Sequence, residues 1–188
     1  MSVRSKLLWM GLLTFVVFPL PAIATLRFLE GKSYSEILQL DHFRLVPILE
    51  GLLVGAIVGF IIYRITRLDV FNDIPLKVEE MIQQAHLKHI DILFLSLSAG
   101  FGEELLFRVG VQSYLGIVPT SIIFVAIHGY FSIRNPKMSL YGLLVLPFIL
   151  ILGYGYVTLG LWFCISAHFS YDLLLFMIIL QKKETDAF

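Results

Sequence analysis

Apolar runs about as long as a bilayer's hydrocarbon is thick recur along the chain, and they restrict its architecture more than any other feature. Of 188 residues 58% are hydrophobic, more than a water-facing exterior requires. In hydrocarbon every backbone N–H and C=O must find its partner within the chain, so such runs become helices. Six spans are expected: Leu7–Leu26, Leu45–Ile65, Ile90–Val111, Leu115–Ile133, Leu140–Tyr156 and Leu161–Leu180. The expected fold is an all-α polytopic transmembrane helical bundle, one membrane domain over residues 1–188, since no repeat or linker divides it. Ahead of the third span, "KVEEMIQQAHLKHI" sets Val78, Met81, Ile82, Ala85 and His89 at helical spacing between charges. That pattern predicts an amphipathic helix lying in the interface.

Formal net charge is zero, so no basic face points to nucleic acid. Lys and Arg fall mostly in alternate connections: Arg4, Lys6, Arg64, Arg67, Lys77, Lys88, Arg134, Lys137, Lys182 and Lys183 on one side, and Arg27, Lys32 and Arg44 on the other. The positive-inside rule then places both termini in the cytoplasm and the chain in the cytoplasmic membrane. Arg4 and Lys6 followed by an apolar run ending "AIA" at Ala22–Ala24 also fit a signal peptide; an uncleaved first helix is the expectation. The single cysteine, Cys164, reads as a small packing residue.

The third span carries "GEELLFR", with Glu103, Glu104 and Arg108. Each ionised group at a helix centre costs about 2.5–3.5 kcal/mol on insertion scales, so these three must face the bundle interior or a wet cavity. Glu104 and Arg108 are four residues apart and can pair along one face. Glu103, about 100° around the helix, is left as the carboxylate free for proton transfer. Two other spans bring histidine into apolar surroundings, with Phe124 and His128 at i,i+4 in one and His168 and Asp172 at i,i+4 in the other. Counted from the expected span ends at about 1.5 Å per residue, Glu103 and His168 share a depth while His128 lies nearer the inner surface. Glu50, in the second span, is a further candidate for the same cavity.

A serine protease of the rhomboid kind needs a serine in a setting such as G-x-S-x-G; a zinc protease of the usual kind needs H-E-x-x-H; an aspartyl protease needs a second intramembrane aspartate in G-x-G-D. None of these is present. The remaining Glu, two His and Asp combine in two ways. Glu103 may be paired with His128 to activate a water, while His168 and Asp172 orient and stabilise an oxyanion. Or His128, His168 and a carboxylate, Glu103 or Asp172, bind Zn²⁺ with water in the fourth position.

"EELLFR" (Glu103–Arg108), "FVAIH" (Phe124–His128) and "HFSYD" (His168–Asp172) resemble the motifs EExxxR, FxxxH and HxxxN/D. These define the CPBP family, which joins the type II CAAX prenyl endopeptidases to bacteriocin-processing and immunity proteins (the Abi domain). The resemblance covers residues 98–174. It implies an intramembrane endopeptidase in which Glu103 and His128 activate water, Glu104, Arg108 and Phe124 support the site, and His168 and Asp172 form the oxyanion pocket. Members of the family are often labelled metalloproteases; the expectation for this chain is a metal-free glutamate mechanism with no cofactor, and zinc is the alternative. It implies as substrate a membrane-embedded or membrane-associated peptide or protein. The competing expectation is a peptide-binding or bacteriocin-immunity protein that occupies the same cavity without cutting. This chain departs from the pattern twice. Val109 stands where a glycine usually follows the arginine, and Asp172 where many relatives carry Asn. An amide donates to an oxyanion and an ionised Asp cannot.

Overall fold

The computed structural model describes residues 1–71 and 77–185, and among these it is helical throughout, with no strand. Helix α1 spans Val3–Leu29, α2 Leu45–Thr66, the amphipathic α3 Lys77–Ala85, α5 Ile117–Ile127, α6 Pro136–Thr158 and α7 Leu161–Thr185. Between α3 and α5 lies α4, which begins as His89–Glu104, widens into a π-helical stretch Leu105–Val111 and ends as Gln112–Leu115. The side chains of Lys77, Val78, Met81, Lys182 and Lys183, which entered the expectations above, lie outside the described ones.

Among the described residues four helices are long and apolar enough to cross a membrane: α1, α2, α6 and α7. Helix α4 has the length but carries the buried charges. The fourth expected span is corrected. It ends at Ile127, not Ile133, and its 11 residues reach only about 16 Å, roughly half the hydrocarbon thickness. Gly129, at φ +75°, takes a left-handed conformation that costs glycine little, and the chain leaves the helix there. It returns without helix to Asn135, whose side chain accepts from the Met138 N–H and starts α6 with Pro136 in its first turn. Non-helical backbone at this depth is tolerable because Gly129 and Tyr130 line a cavity rather than lipid.

Helices α2 and α7 form the closest pair. Gly51, Gly55 and Gly59 recur every fourth residue, so one face of α2 has no side chains and α7 lies directly on it. Such small-residue seams let transmembrane backbones approach where lipid supplies no hydrophobic drive. Gly100 does the same for α4 against α7, and Gly102 for α4 against α1 at Thr14. Three apolar clusters fill the interior. The largest runs through Phe107, Phe124, Phe148, Leu152, Cys164 and Tyr171; another centres on Leu26, Leu105, Val109 and Leu161; a third joins Ile82 and Ala85 of α3 to Ile92 and Leu180. Cys164 is fully buried and donates from Sγ to the Leu152 carbonyl, 3.2 Å away. Glu50 is exposed and does not line the cavity, so that expectation is withdrawn.

Candidate active site

Glu104 and Arg108 are completely buried and form the predicted i,i+4 pair, with Arg108 Nε donating to Glu104 Oε2 at 2.8 Å. The second carboxylate oxygen, Oε1, faces His168 Nδ1 at 2.8 Å. With Glu104 ionised by its arginine, Nδ1–H is the donor, which fixes the ring and turns Nε2 toward Asp172, 3.7 Å from Oδ2. The pair is thus the middle of a chain reaching from α4 to α7. Arg108 continues it through Nη1 to Gln112 Oε1 at 3.1 Å, and Gln112 Nε2 donates to the Gly153 carbonyl of α6 at 2.9 Å. Gly153 is where α6 comes close enough for this, since a Cβ there would meet Ile117 Cγ2 at 2.6 Å and the Gln112 oxygen at 3.2 Å.

Gln112 was not foreseen. The signal available was its place four residues beyond Arg108, extending Glu104–Arg108 by one more helical turn. Arg108 Nη2 is buried without a hydrogen-bond partner; the guanidinium carbon lies 5.9 Å from the centre of the Phe124 ring, within cation–π range. Phe124 supports the site in a second way, with its ring stacked on His128 at 4.3 Å between centroids and edge-on to Phe107 at 4.8 Å. The Val109 departure is absorbed: Val109 is buried in the cluster around Leu26, and the close approach falls one residue later, at Gly110 against Ala22 of α1.

Glu103 is not solitary. Its Oε2 stands 3.4 Å from His128 Nε2, too long for a strong direct bond and short enough for a shared water. His128 Nδ1 lies 2.7 Å from the Phe124 carbonyl, which can only accept, so Nδ1 carries a proton and the ring turns Nε2 toward Glu103. The two residues meet where α5 stops, with His128 as the residue that ends it. Glu103, His128, His168 and Asp172 all line one cavity of about 620 Å³, walled by Phe124, Tyr130, Tyr141, Phe148 and Tyr171 and extending along α1 past Met10 and Leu7. The four expected residues are therefore brought together, with Glu103–His128 and His168–Asp172 as two adjacent pairs.

The zinc arrangement finds no matching ligand set. Among the described residues no three His, Cys, Asp or Glu side chains are grouped as a metal would require. No step is derived through a metal.

Residues 85–174 match the family model described as type II CAAX prenyl endopeptidase Rce1-like. That segment is similar to the Rce1-like family. The matched segment holds all three motifs and every residue of the cavity's polar end, and agrees with the family resemblance carried by the motifs. At family level the match supports a CAAX-type intramembrane protease, and with the long apolar helices a multi-pass membrane protein. No curated protein and no solved structure matches the chain.

Proposed function

We propose that the protein is an intramembrane endopeptidase that hydrolyses a peptide bond of a membrane-associated or membrane-embedded substrate by a metal-free mechanism. The observation that carries this reading is the Glu103–His128 pair, 3.4 Å apart and open to a cavity that also holds His168 and Asp172. A water between the pair gives one proton to the Glu103 carboxylate as its oxygen attacks the scissile carbonyl carbon. His128 Nε2 accepts from the other O–H and fixes the water's direction. The carbonyl π pair moves onto oxygen, and the resulting oxyanion faces His168. A His168 ring carrying protons on both nitrogens satisfies Glu104 through Nδ1 and offers Nε2–H to the oxyanion, while Asp172 orients it. Collapse re-forms the C=O, breaks the C–N bond, and the leaving amine takes the proton held on Glu103.

The Glu104–Arg108–Gln112 chain takes no part in proton transfer under this scheme; it supports His168. The membrane is the cytoplasmic one, with both termini inside. The test compares peptide termini in membranes and medium from cells making wild type, Glu103→Gln or His128→Ala at matched abundance. New termini with the wild type alone are expected and would name the substrate. Identical termini in all three would overturn the protease reading and leave a binding or immunity protein.

A further inference from the structure

We infer that Tyr130 is a further catalytic residue, whose phenolic O–H supplies the oxyanion with the donor that Asp172 cannot give. The inference rests on the protease reading above and deepens it. An oxyanion pocket is built from fixed hydrogen-bond donors aimed at the oxygen where charge develops, and two are usual. His168 Nε2 provides one, only while the ring carries its second proton. The motif position where many relatives have an amide is Asp172 here, and an ionised carboxylate offers acceptors alone. A second donor must come from another cavity wall.

Four tyrosines line the cavity, Tyr63, Tyr130, Tyr141 and Tyr171. Tyr63 packs its ring against Arg67, and the Tyr171 and Tyr141 hydroxyls interact with each other. The Tyr130 hydroxyl makes no hydrogen bond to a described residue, and its ring is held on two sides, stacked at 5.8 Å on His128 and edge-on at 5.0 Å to Tyr141. It sits two residues past His128, on the non-helical segment that follows α5. Through its stack on His128 it stands next to the Glu103–His128 pair, and it shares the cavity lining with His168 and Asp172. A phenol is a donor at any physiological pH, unlike a histidine. The shortening of α5 explains the position: a helix running on to Ile133 would carry residue 130 around its axis, away from where the loop holds it.

In the step itself the Tyr130 O–H donates a hydrogen bond to the carbonyl oxygen as that oxygen takes the π electron pair. No proton is transferred to it, and the bond weakens again when the C–N bond breaks and the carbonyl re-forms.

The test uses full-length protein in liposomes and a fluorogenic peptide spanning a Glu103-dependent cleavage junction. Tyr130→Phe keeps the ring and both aromatic contacts and removes only the hydroxyl. Expected is a fall in kcat of about 100-fold, the range for deleting one oxyanion donor, with KM unchanged. Asp172→Asn placed in the Tyr130→Phe background restores an amide donor and is expected to recover at least about tenfold of the lost kcat, which a merely structural tyrosine would not allow. Tyr130→Phe within about twofold of wild type, or a loss confined to KM, would overturn the assignment while leaving the protease reading in place. Wild type with no Glu103-dependent cleavage would overturn both.

Discussion

Gly55→Ala is the perturbation whose cost can be worked most directly from the coordinates. A Cβ at residue 55 would stand 1.9 Å from the Ala167 carbonyl oxygen, 2.2 Å from Ser170 Oγ and 2.8 Å from the Ala167 carbonyl carbon. Two of the three obstacles are backbone of α7 and cannot rotate away. Carbon-to-carbonyl contacts begin at about 3.3 Å, so α2 and α7 must part by roughly 1.4 Å at this level. Overpacking of a close-packed contact costs about 1–3 kcal/mol. The displaced carbonyl belongs to the residue before His168, so the same shift reaches the Glu104–His168 bond and the Asp172 pair. A misplacement of about 1 Å in a catalytic group costs on the order of 100-fold in rate.

Gly59→Ala is the matched control. Its nearest obstacle is the Leu174 Cδ2 methyl at 3.2 Å, a flexible side-chain end that can give. The assay is reversible unfolding in detergent micelles, followed by tryptophan fluorescence, alongside turnover of the cleavage-junction peptide. Expected is a loss of about 1–3 kcal/mol with a large fall in kcat for Gly55→Ala, and less than about 0.5 kcal/mol with near-normal turnover for Gly59→Ala. Equal effects from the two substitutions, or none from either, would refute the argument that backbone contact at Gly55 sets the position of His168.

Arg108→Met leaves the fully buried Glu104 charge with only the His168 Nδ1–H as partner and should cost about 3–5 kcal/mol, while adding Glu104→Gln should recover much of it in the same unfolding assay. Gln112→Leu leaves Arg108 Nη1 without its acceptor and removes the side-chain donor to the Gly153 carbonyl, for an expected loss of about 1–3 kcal/mol. Arg4→Ala removes a two-bond contact to Asp91 that is exposed on the arginine side, so solvent screening keeps the loss in the same unfolding assay smaller than that of either buried substitution. Outside the spans, Glu36 is held below the usual carboxylate range by hydrogen bonds from the Ser33 backbone and hydroxyl. Its capping box is therefore complete above the ordinary carboxylate pKa and lost as pH falls through the lowered one. Amide exchange at Glu36 and Ile37 should quicken in that acid window in wild type, and be fast at all pH values in Ser33→Ala.

The helices and the charge pair could be read before any coordinates because both follow from local rules: apolar run length for α1, α2, α6 and α7, and i,i+4 spacing for Glu104–Arg108. The end of α5 could not. Hydropathy stays high through Phe131 and Ile133, and what stops the helix is the left-handed backbone at Gly129, which a hydropathy window does not register. That one boundary displaced His128 in depth and hid its pairing with Glu103. Gln112 escaped notice for a different reason, being a neutral amide whose importance comes from Gly153, 41 residues away. Tyr130 looked like one more aromatic residue in an apolar run until the loop gave it a place in the cavity wall.

Those same features account for how a bilayer protein holds so many ionisable groups at one depth. Glu104 is bonded by both oxygens, to Arg108 and His168, so its charge is met on both sides by donors from α4 and α7. Arg108 in turn reaches α6 through Gln112 and Gly153. Three helices are thus tied around one anionic centre, and removing any link leaves a desolvated group, which favours a single arrangement over its alternatives. Glu103 stands outside this chain, on the neighbouring side of α4, facing the end of a helix too short to cross the membrane. A full-length α5 would seal that space with apolar side chains; the half-length helix leaves room there for water and a peptide carbonyl. The order of the two glutamates then matters more than their number. Exchanging their roles would place the well-bonded carboxylate in the cavity and the free one in the core, where an unpaired charge is least tolerable.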